Sequence, residues 1–423
     1  MFKNQLIKKE YLSLLDIGSS NTRCVIAQLG CNEDKPRIVG VSSVPSVGMR
    51  RGVIIDLEEV TASVRLALET ASRMAGFSPV EVFVSVGGTH LSYTDTQGVI
   101  AIGRADGEVE KEDIERVAQA AQAVHLANNY ELLHIIPRKF ILDDQAGIED
   151  PLGMSGVRLE MRGTLISGFS PHLRNLAKAL QNIGIEVSGY IVGSLASAKA
   201  TLNKRQEELG VALLDIGGGT TSLVVYEERE LIHLAILPIG GGHITNDIAI
   251  GLRTSIETAE KIKIEFGSAL PSEIDKKEQI NLAEIDSKEE GSVSRKHIAE
   301  IIEARAEEIF FLVEKELKKI NRSALLPAGV VLAGGTAKLH GMVDLAKKVL
   351  KLPAQTGFPV ELSGLIDKTD DPAFSTVIGM LLWVIDEKQL VEKKEIKNGN
   401  NWKSVVLGKK VKEALKWFEK FLP

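Results

Sequence analysis

Asp16 and Asp215 occupy matching places in two copies of one short pattern. The run Leu14-Leu15-Asp16-Ile17-Gly18-Ser19-Ser20-Asn21-Thr22 recurs 199 residues later as Leu213-Leu214-Asp215-Ile216-Gly217-Gly218-Gly219-Thr220-Thr221. Each copy continues into apolar residues, Cys24-Val25-Ile26 in the first and Leu223-Val224-Val225 in the second. The pattern predicts a strand, a tight turn of small residues, and a second strand. Glycine and serine let backbone N–H groups approach an anion without side-chain obstruction, so each turn can grip a phosphate. One glycine turn between strands carries little information. Two copies, each headed by an aspartate, point to an internal duplication and are hard to explain as turns alone.

The elements that must position these residues can be read around them. Val330-Val331-Leu332-Ala333-Gly334-Gly335-Thr336 predicts a buried strand that ends in a Gly-Gly turn, followed by Leu339-His340-Gly341-Met342 and a helix. Gly240-Gly241-Gly242-His243 opens a predicted helical stretch from Ile244 to Phe266, in which Glu257, Glu260 and Lys263 recur at helical spacing. A chain of 423 residues exceeds one ordinary core and predicts two to four domains. Its 44% apolar and 26% charged content is that of a globular protein. A net charge of −6 excludes nucleic acid as the main partner. The two cysteines, Cys24 and Cys31, are too few for a disulfide framework, and Cys24 lies in a core-like run. The polar start, Met1 to Glu10, does not read as a signal peptide, and the longest apolar stretch, Val377 to Ile385, is too short to span a bilayer. The expectation is a cytoplasmic protein.

Paired hairpins of this kind resemble the actin, Hsp70 and sugar-kinase superfamily. That resemblance implies an α/β fold, actin-like (ribonuclease-H-like) and two-lobed, with ATP in the cleft. It implies Mg²⁺ held by Asp16 and Asp215 through water, and phosphates clasped by Gly18, Ser19, Ser20, Asn21, Gly217, Gly218, Gly219 and Thr220. Magnesium suits such carboxylates because it keeps most of its hydration shell. Gly334, Gly335 and Thr336 look like the superfamily's adenosine motif, and Gly241, Gly242, His243, Glu260 and Lys263 fall on its nucleoside side. Two departures stand out. Asn21 replaces a lysine found in many relatives, and Gly193 in Val192-Gly193-Ser194 occupies the usual water-positioning place. No catalytic residue is assigned, and slow or absent ATP turnover is expected, since phosphoryl transfer depends on positioning.

The segment between the hairpins selects within the superfamily. Ser85-Val86-Gly87-Gly88-Thr89-His90, Leu133-His134-Ile135-Ile136-Pro137-Arg138-Lys139-Phe140 and Gly147-Ile148-Glu149-Asp150-Pro151-Leu152-Gly153-Met154 resemble the inserted subdomain of the FtsA family of bacterial cell-division proteins. Ser294-Arg295-Lys296-His297-Ile298 and Ile301 to Phe310 extend the likeness, which covers about residues 11–386. It implies a head-to-tail polymer, recruitment of later division proteins such as FtsN, and a dock for the acidic tail of FtsZ. Arg295, Lys296 and Arg305 are the candidate dock, because basic residues suit an acidic peptide.

Beyond residue 386 the chain turns polar, and residues 387–401 read as a linker with a reach of roughly 20 Å. From Trp402 to Phe421 an apolar stripe returns at helical spacing, with Trp402, Val406, Leu415, Trp417, Phe418 and Phe421 among Lys409, Lys410 and Lys416. The segment carries +4 within a chain of −6, which predicts an amphipathic helix lying on an anionic membrane. The expected location is the cytoplasmic side of the cell membrane at the division site, as a peripheral protein. The expected domains are lobe 1 at 1–86 with 164–206, the insert at 87–163 and lobe 2 at 207–240 with 321–370. Its outer subdomain takes 241–320, a return helix 371–386, the linker 387–401 and the membrane helix 402–423. Two alternatives stay open: a PilM-like adaptor of type IV pilus assembly, which would lack the basic foot, and an enzyme or chaperone of the sugar-kinase or Hsp70 kind.

Overall fold

The computed structural model describes residues 10–30, 36–104, 106–123 and 126–398. In lobe 1, β1 (Glu10–Ile17), β2 (Asn21–Leu29) and β3 (Arg37–Pro45) form an antiparallel meander, followed by α1 (Leu57–Ala75) and β4 (Glu81–Val86). The insert then supplies β5 (Leu91–Ala101), α2 (Lys111–Ala121), β6 (Tyr130–Leu142), β7 (Gln145–Ile148) and β8 (Arg158–Phe169). The chain re-enters lobe 1 through α3 (Ser170–Gln181), β9 (Glu186–Val192) and α4 (Gly193–Thr201). Lobe 2 holds β10 (Val211–Ile216), β11 (Thr221–Glu227), β12 (Glu230–Leu237), α5 (Gly241–Leu252), α6 (Ile256–Phe266), α7 (Arg295–Lys319), β13 (Val330–Ala333), α8 (Met342–Leu350) and β14 (Ala354–Thr356). A short strand, β15 (Ser363–Gly364), returns to lobe 1, and α9 (Ser375–Asn398) follows.

The duplication read from the hairpins extends to whole sheets. Lobe 1 runs β9-β4-β1-β2-β3-β15 and lobe 2 runs β14-β13-β10-β11-β12. In each, the first hairpin strand pairs antiparallel with its successor and parallel with the strand on its other side. Parallel strands require crossovers, and helices therefore cover both faces. Side chains alternate accordingly. Leu15, Ile17, Cys24 and Ile26 face α1 and α3, whereas Leu14, Val25 and Ala27 face α4 and α9. Cys24 is fully buried, and burial pushes its thiol up to about 12.

The insert is a separate four-stranded antiparallel sheet, β5-β8-β6-β7, with its own core of Leu159, Met161, Phe140 and Val117. Lys139 on β6 pairs with Glu228 and Glu230 at the β11–β12 turn, so the insert rests on lobe 2 as well as lobe 1.

Two sequence expectations need correction. The stretch Ile244 to Phe266 is two helices, because Arg253 adopts a left-handed conformation and Ser255 caps α6 by accepting from the Thr258 amide. Residues 387–398, expected as linker, continue α9. Glu-Lys-Gln-Leu-Val-Glu-Lys-Lys-Glu-Ile-Lys contains only adequate helix formers and no breaker before Gly399. The stripe from Trp402 to Phe421 lies outside the described residues, among which no helix is long and apolar enough to cross a membrane.

Candidate functional site

The two hairpin turns are built alike and face each other. Gly18 donates to the Asn21 carbonyl at 3.1 Å, and Gly217 to the Thr220 carbonyl at 2.9 Å. They approach so closely that a Cβ on Gly218 would lie 1.9 Å from Ser20 Oγ, and one on Gly219 would lie 2.6 Å from Ser19 Oγ. Side chains are excluded there, as a backbone grip on an anion requires. Gly241 and Gly242 at the start of α5 donate to the carbonyls of Gly217 and Gly218, both at 2.8 Å. A trans peptide points its N–H opposite to its carbonyl, so the amides of Gly218 and Gly219 turn away from α5. Ser19 is held from its own side, its Oγ accepting from the Gly52 amide at 3.0 Å.

Between the lobes lies a cavity of about 590 Å³, within the ordinary range for a small-molecule site. Gly18, Ser19, Ser20 and Asn21 line it from lobe 1 and Gly217, Gly218, Gly219 and Thr220 from lobe 2. Asp16, Asp215, Gly193, Gly241, Glu260, Lys263, Gly334, Gly335 and Thr336 complete the expected set around the same space. Gly242 and His243 do not line it. His243 Nδ1 accepts from the Gly240 amide at 3.1 Å, at the start of its own helix. Lys263 is likewise engaged, its ammonium bonded to Glu260 at 2.6 Å, Thr245 at 2.9 Å and the Gly241 carbonyl at 3.3 Å. Glu260 and Lys263 thus form a tied pair at the cavity wall. Gly334 is needed as glycine: its φ is 82°, and a Cβ would lie 2.5 Å from Asp215 Oδ1.

The two aspartates are partly buried in the cleft, the Asp16 side chain 15% exposed. Ser85 donates to Asp16 Oδ1 at 2.6 Å, and Thr376 donates to Asp215 Oδ2 at 3.2 Å. Burial raises both carboxyls above their ordinary range, and the Asp16 charge raises Asp215 further. Arg23 is the cation beside them, 3.9 Å from Asp16 and stacked 5.6 Å from the Phe374 ring centre. Two carboxylates that repel each other in this way have the chemistry to hold a hydrated divalent cation. Among the described residues no group of three or more His, Cys, Asp or Glu could hold a metal by itself. Arg23 and Ser194 line the same space, and Arg23 Nε and Ser194 Oγ are buried without a hydrogen-bond partner.

Arg23, Ser85, Ser194 and Thr376 were not anticipated from sequence. Arg23 had a signal, because it is the cross-strand neighbour of Asp16, just as Ser222 is of Asp215. The others reach the site from distant parts of the chain.

At the expected peptide dock, Arg305 on α7 holds Asp247 with two hydrogen bonds, at 2.5 and 3.0 Å, and also bonds Glu308. Arg295 bonds Glu278 at 2.6 Å and the Phe266 carbonyl at 3.0 Å. Both arginines are already paired within the chain.

Two lobes of duplicated topology with opposed glycine-rich hairpins define an actin-like fold. Likeness to solved structures agrees. The PilM–PilN type IV pilus biogenesis complex matches with a TM-score of 0.62 at 16% identity, covering 88% of this chain and 97% of that one. MreB5 of Spiroplasma citri bound to ADP matches at 0.51 and 15% identity, covering 92% and 99%. The family model for cell division protein FtsA matches residues 212–379, and that for the SHS2 domain inserted in FtsA matches residues 88–167. Cell division protein FtsA of Pseudomonas aeruginosa is 37% identical over 374 residues, 88% of this chain and 89% of its own. The chain belongs to the FtsA family of cell division proteins. Its likeness to PilM is one of fold.

Proposed function

We propose that the chain is an ATP-binding, actin-like adaptor of bacterial division that links FtsZ filaments to the inner face of the cytoplasmic membrane. Membership of the FtsA family is the observation that carries this reading. The opposed hairpins support the nucleotide. Their glycines present bare amides, Asp16 and Asp215 would hold hydrated Mg²⁺, and Arg23 supplies the positive charge that Asn21 lacks. Bound Mg²⁺ would neutralise the phosphate charge at the aspartates, and the chain's own part is to hold both lobes around it. ATP acts chiefly as a clamp, because Gly193 brings no side chain to orient water at the cavity.

The partner surfaces follow from charge. An acidic FtsZ tail would compete with Glu278 and Asp247 for Arg295 and Arg305, with Lys296 beside them. The basic stripe with Lys409, Lys410, Lys416, Trp417 and Phe418 would lie on anionic lipid, reversibly for one copy and firmly for a head-to-tail polymer. The insert would offer the surface for FtsN and other later division proteins. Co-sedimentation with anionic vesicles tests the tether, using the full chain and a 1–401 truncation that keeps α9, each with and without an FtsZ tail peptide. The full chain should pellet and carry the peptide with it, while the truncation should bind peptide and stay in solution. Equal pelleting of both forms would remove the membrane role.

A further inference from the structure

Strand β6 touches both lobes. His134 Nε2 accepts from the Val192 amide at 3.2 Å, at the point where α4 begins and Gly193 and Ser194 line the cleft. Five residues on, roughly 16 Å along the strand, Lys139 bonds Glu228 at 2.7 Å and Glu230 at 2.5 Å on lobe 2. Between these points the insert has an apolar seat, where Ile166, Leu133 and Ile136 pack in one cluster with Leu231 and Leu234 of β12.

The turn that Lys139 grips is strained. Glu228 and Arg229 are the two central residues of the β11–β12 hairpin, flanked by the paired Glu227 and Glu230, and their φ angles are 50° and 62°. Such a turn ordinarily takes asparagine and glycine, because a larger side chain on a left-handed backbone is crowded. Here every residue of the turn is engaged instead. Glu227 holds Arg322 at 2.7 Å, Glu228 and Glu230 share the Lys139 ammonium, and Arg229 bonds Glu149 of the insert at 3.4 Å and Glu208 at 3.1 Å. A lone exposed ion pair would carry little. One ammonium shared by two carboxylates, with Glu230 only 19% exposed, is a firmer tie, and backbone strain persists where the surrounding contacts over-determine it.

We infer that β6 is a cross-tie between the lobes: His134 fixes it to the start of α4, and Lys139, clasped by the strained Glu228-Arg229 turn, fixes it to lobe 2, so that the position of the insert and the closure of the cleft change together. None of Lys139, Glu228, Arg229 and Glu230 lines the cleft, and the coupling to ATP rests on the nucleotide reading above. The tie is made in the same arrangement that brings the two hairpin turns face to face, so it belongs to the closed cleft. A partner that shifts the insert therefore changes the grip on the nucleotide, and the nucleotide changes the hold on the insert by the same factor.

The test uses the full chain as wild type, Lys139→Glu, Glu228→Lys with Glu230→Lys, and all three substitutions together. Calorimetric titration with ATP and Mg²⁺ reads the cleft, and hydrogen exchange in β6 and the β11–β12 turn reads the tie. Reversing either side alone should weaken ATP binding about threefold to tenfold and speed exchange in both segments. The combined variant restores opposite charges across the gap and should return to within about twofold of the wild type in both readouts. A further variant, Glu228→Asn with Arg229→Gly and Glu230→Gln, has an unstrained turn without the clasp, so it folds even where a reversal does not, and it should weaken ATP as the reversals do. Unchanged ATP affinity in variants whose exchange shows the insert released would overturn the coupling. Unchanged exchange, or a combined variant no better than its halves, would overturn the clasp. A wild type that binds no ATP would instead overturn the nucleotide reading, and exchange alone would then decide the tie.

Discussion

Gly379 in α9 offers a test in which helix propensity and packing predict opposite signs. Gly379→Ala adds a methyl group to a helix interior, and propensity alone predicts a gain of about 1 kcal/mol. At this position, however, α9 crosses α4 so closely that a Cβ would stand 1.7 Å from the Ala196 carbonyl oxygen and 2.3 Å from its carbon. An ordinary contact is roughly 3.5 Å, so the helices must part by well over 1 Å. The obstacle is backbone, and no rotamer relieves it. Overpacking of this kind costs about 1–3 kcal/mol or more, and the upper end applies here. Less the propensity gain, the net loss is about 2 kcal/mol, or roughly 2–3 °C in melting temperature for a chain of this length. The same shift should reach the cleft, since α4 begins with Gly193 and Ser194 and the first turn of α9 carries Thr376, which bonds Asp215. Gly193→Ala is the control. Its Cβ would meet Thr376 Cγ2 at 3.3 Å, the Val86 carbonyl oxygen at 3.7 Å and Ser85 Cβ at 3.9 Å, a far milder crowding, so it should melt within about 1 °C of the wild type. Differential scanning calorimetry of the three proteins decides the matter. Gly379→Ala melting at or above the wild type would refute the packing argument.

Two further outcomes follow from buried groups. Burial and the neighbouring His172 hold His90 down to about 4, so it stays neutral in the fold while its unfolded form protonates near 6.5. The unfolded chain then binds more protons between those values, and this contribution to stability is lost as pH falls from 6.5 towards 4. Asp16 and Asp215, raised by burial, act in the opposite direction, so the comparison must be made against His90→Phe. On going from pH 7 to pH 5 the wild type should lose about 1 kcal/mol per pH unit relative to that variant; parallel melting curves would contradict this. Cys24, fully buried with its thiol pushed up to about 12, should resist iodoacetamide in the folded chain and react on unfolding, as peptide mass mapping would show. Rapid native labelling would place it outside the core.

The repeat around Asp16 and Asp215 made half of this molecule legible, because a small-residue turn between apolar strands is a local pattern and its recurrence implies a second copy of the same sheet. Cys24 read as core for the same local reason. Ser85 and Thr376 could not be read, because they meet Asp16 and Asp215 across 69 and 161 residues of chain, and only the closed sheets bring them together. The place of His243 could not be read, because a glycine-rich helix start looks the same in sequence whether its histidine faces the cleft or accepts from its own first amide, as Nδ1 does here. The extent of α9 was missed by treating residues 387–398 as linker, when that run is rich in Glu, Lys, Gln and Leu and has no Gly or Pro before Gly399. Arg23 was the avoidable omission: the two copies differ there, Arg against Ser222, and a difference within a duplication marks where the halves divide their work.

The central claim is that the opposed turns hold one magnesium-bound triphosphate and so join the lobes. Equilibrium dialysis of radiolabelled ATP against the full chain measures it directly, with Mg²⁺ or EDTA, in the wild type and in the Asp16→Asn, Asp215→Asn double variant. The account predicts one ATP per chain, abolished by EDTA and by the double variant. No retained ATP in the wild type, or full retention in the double variant, would contradict it.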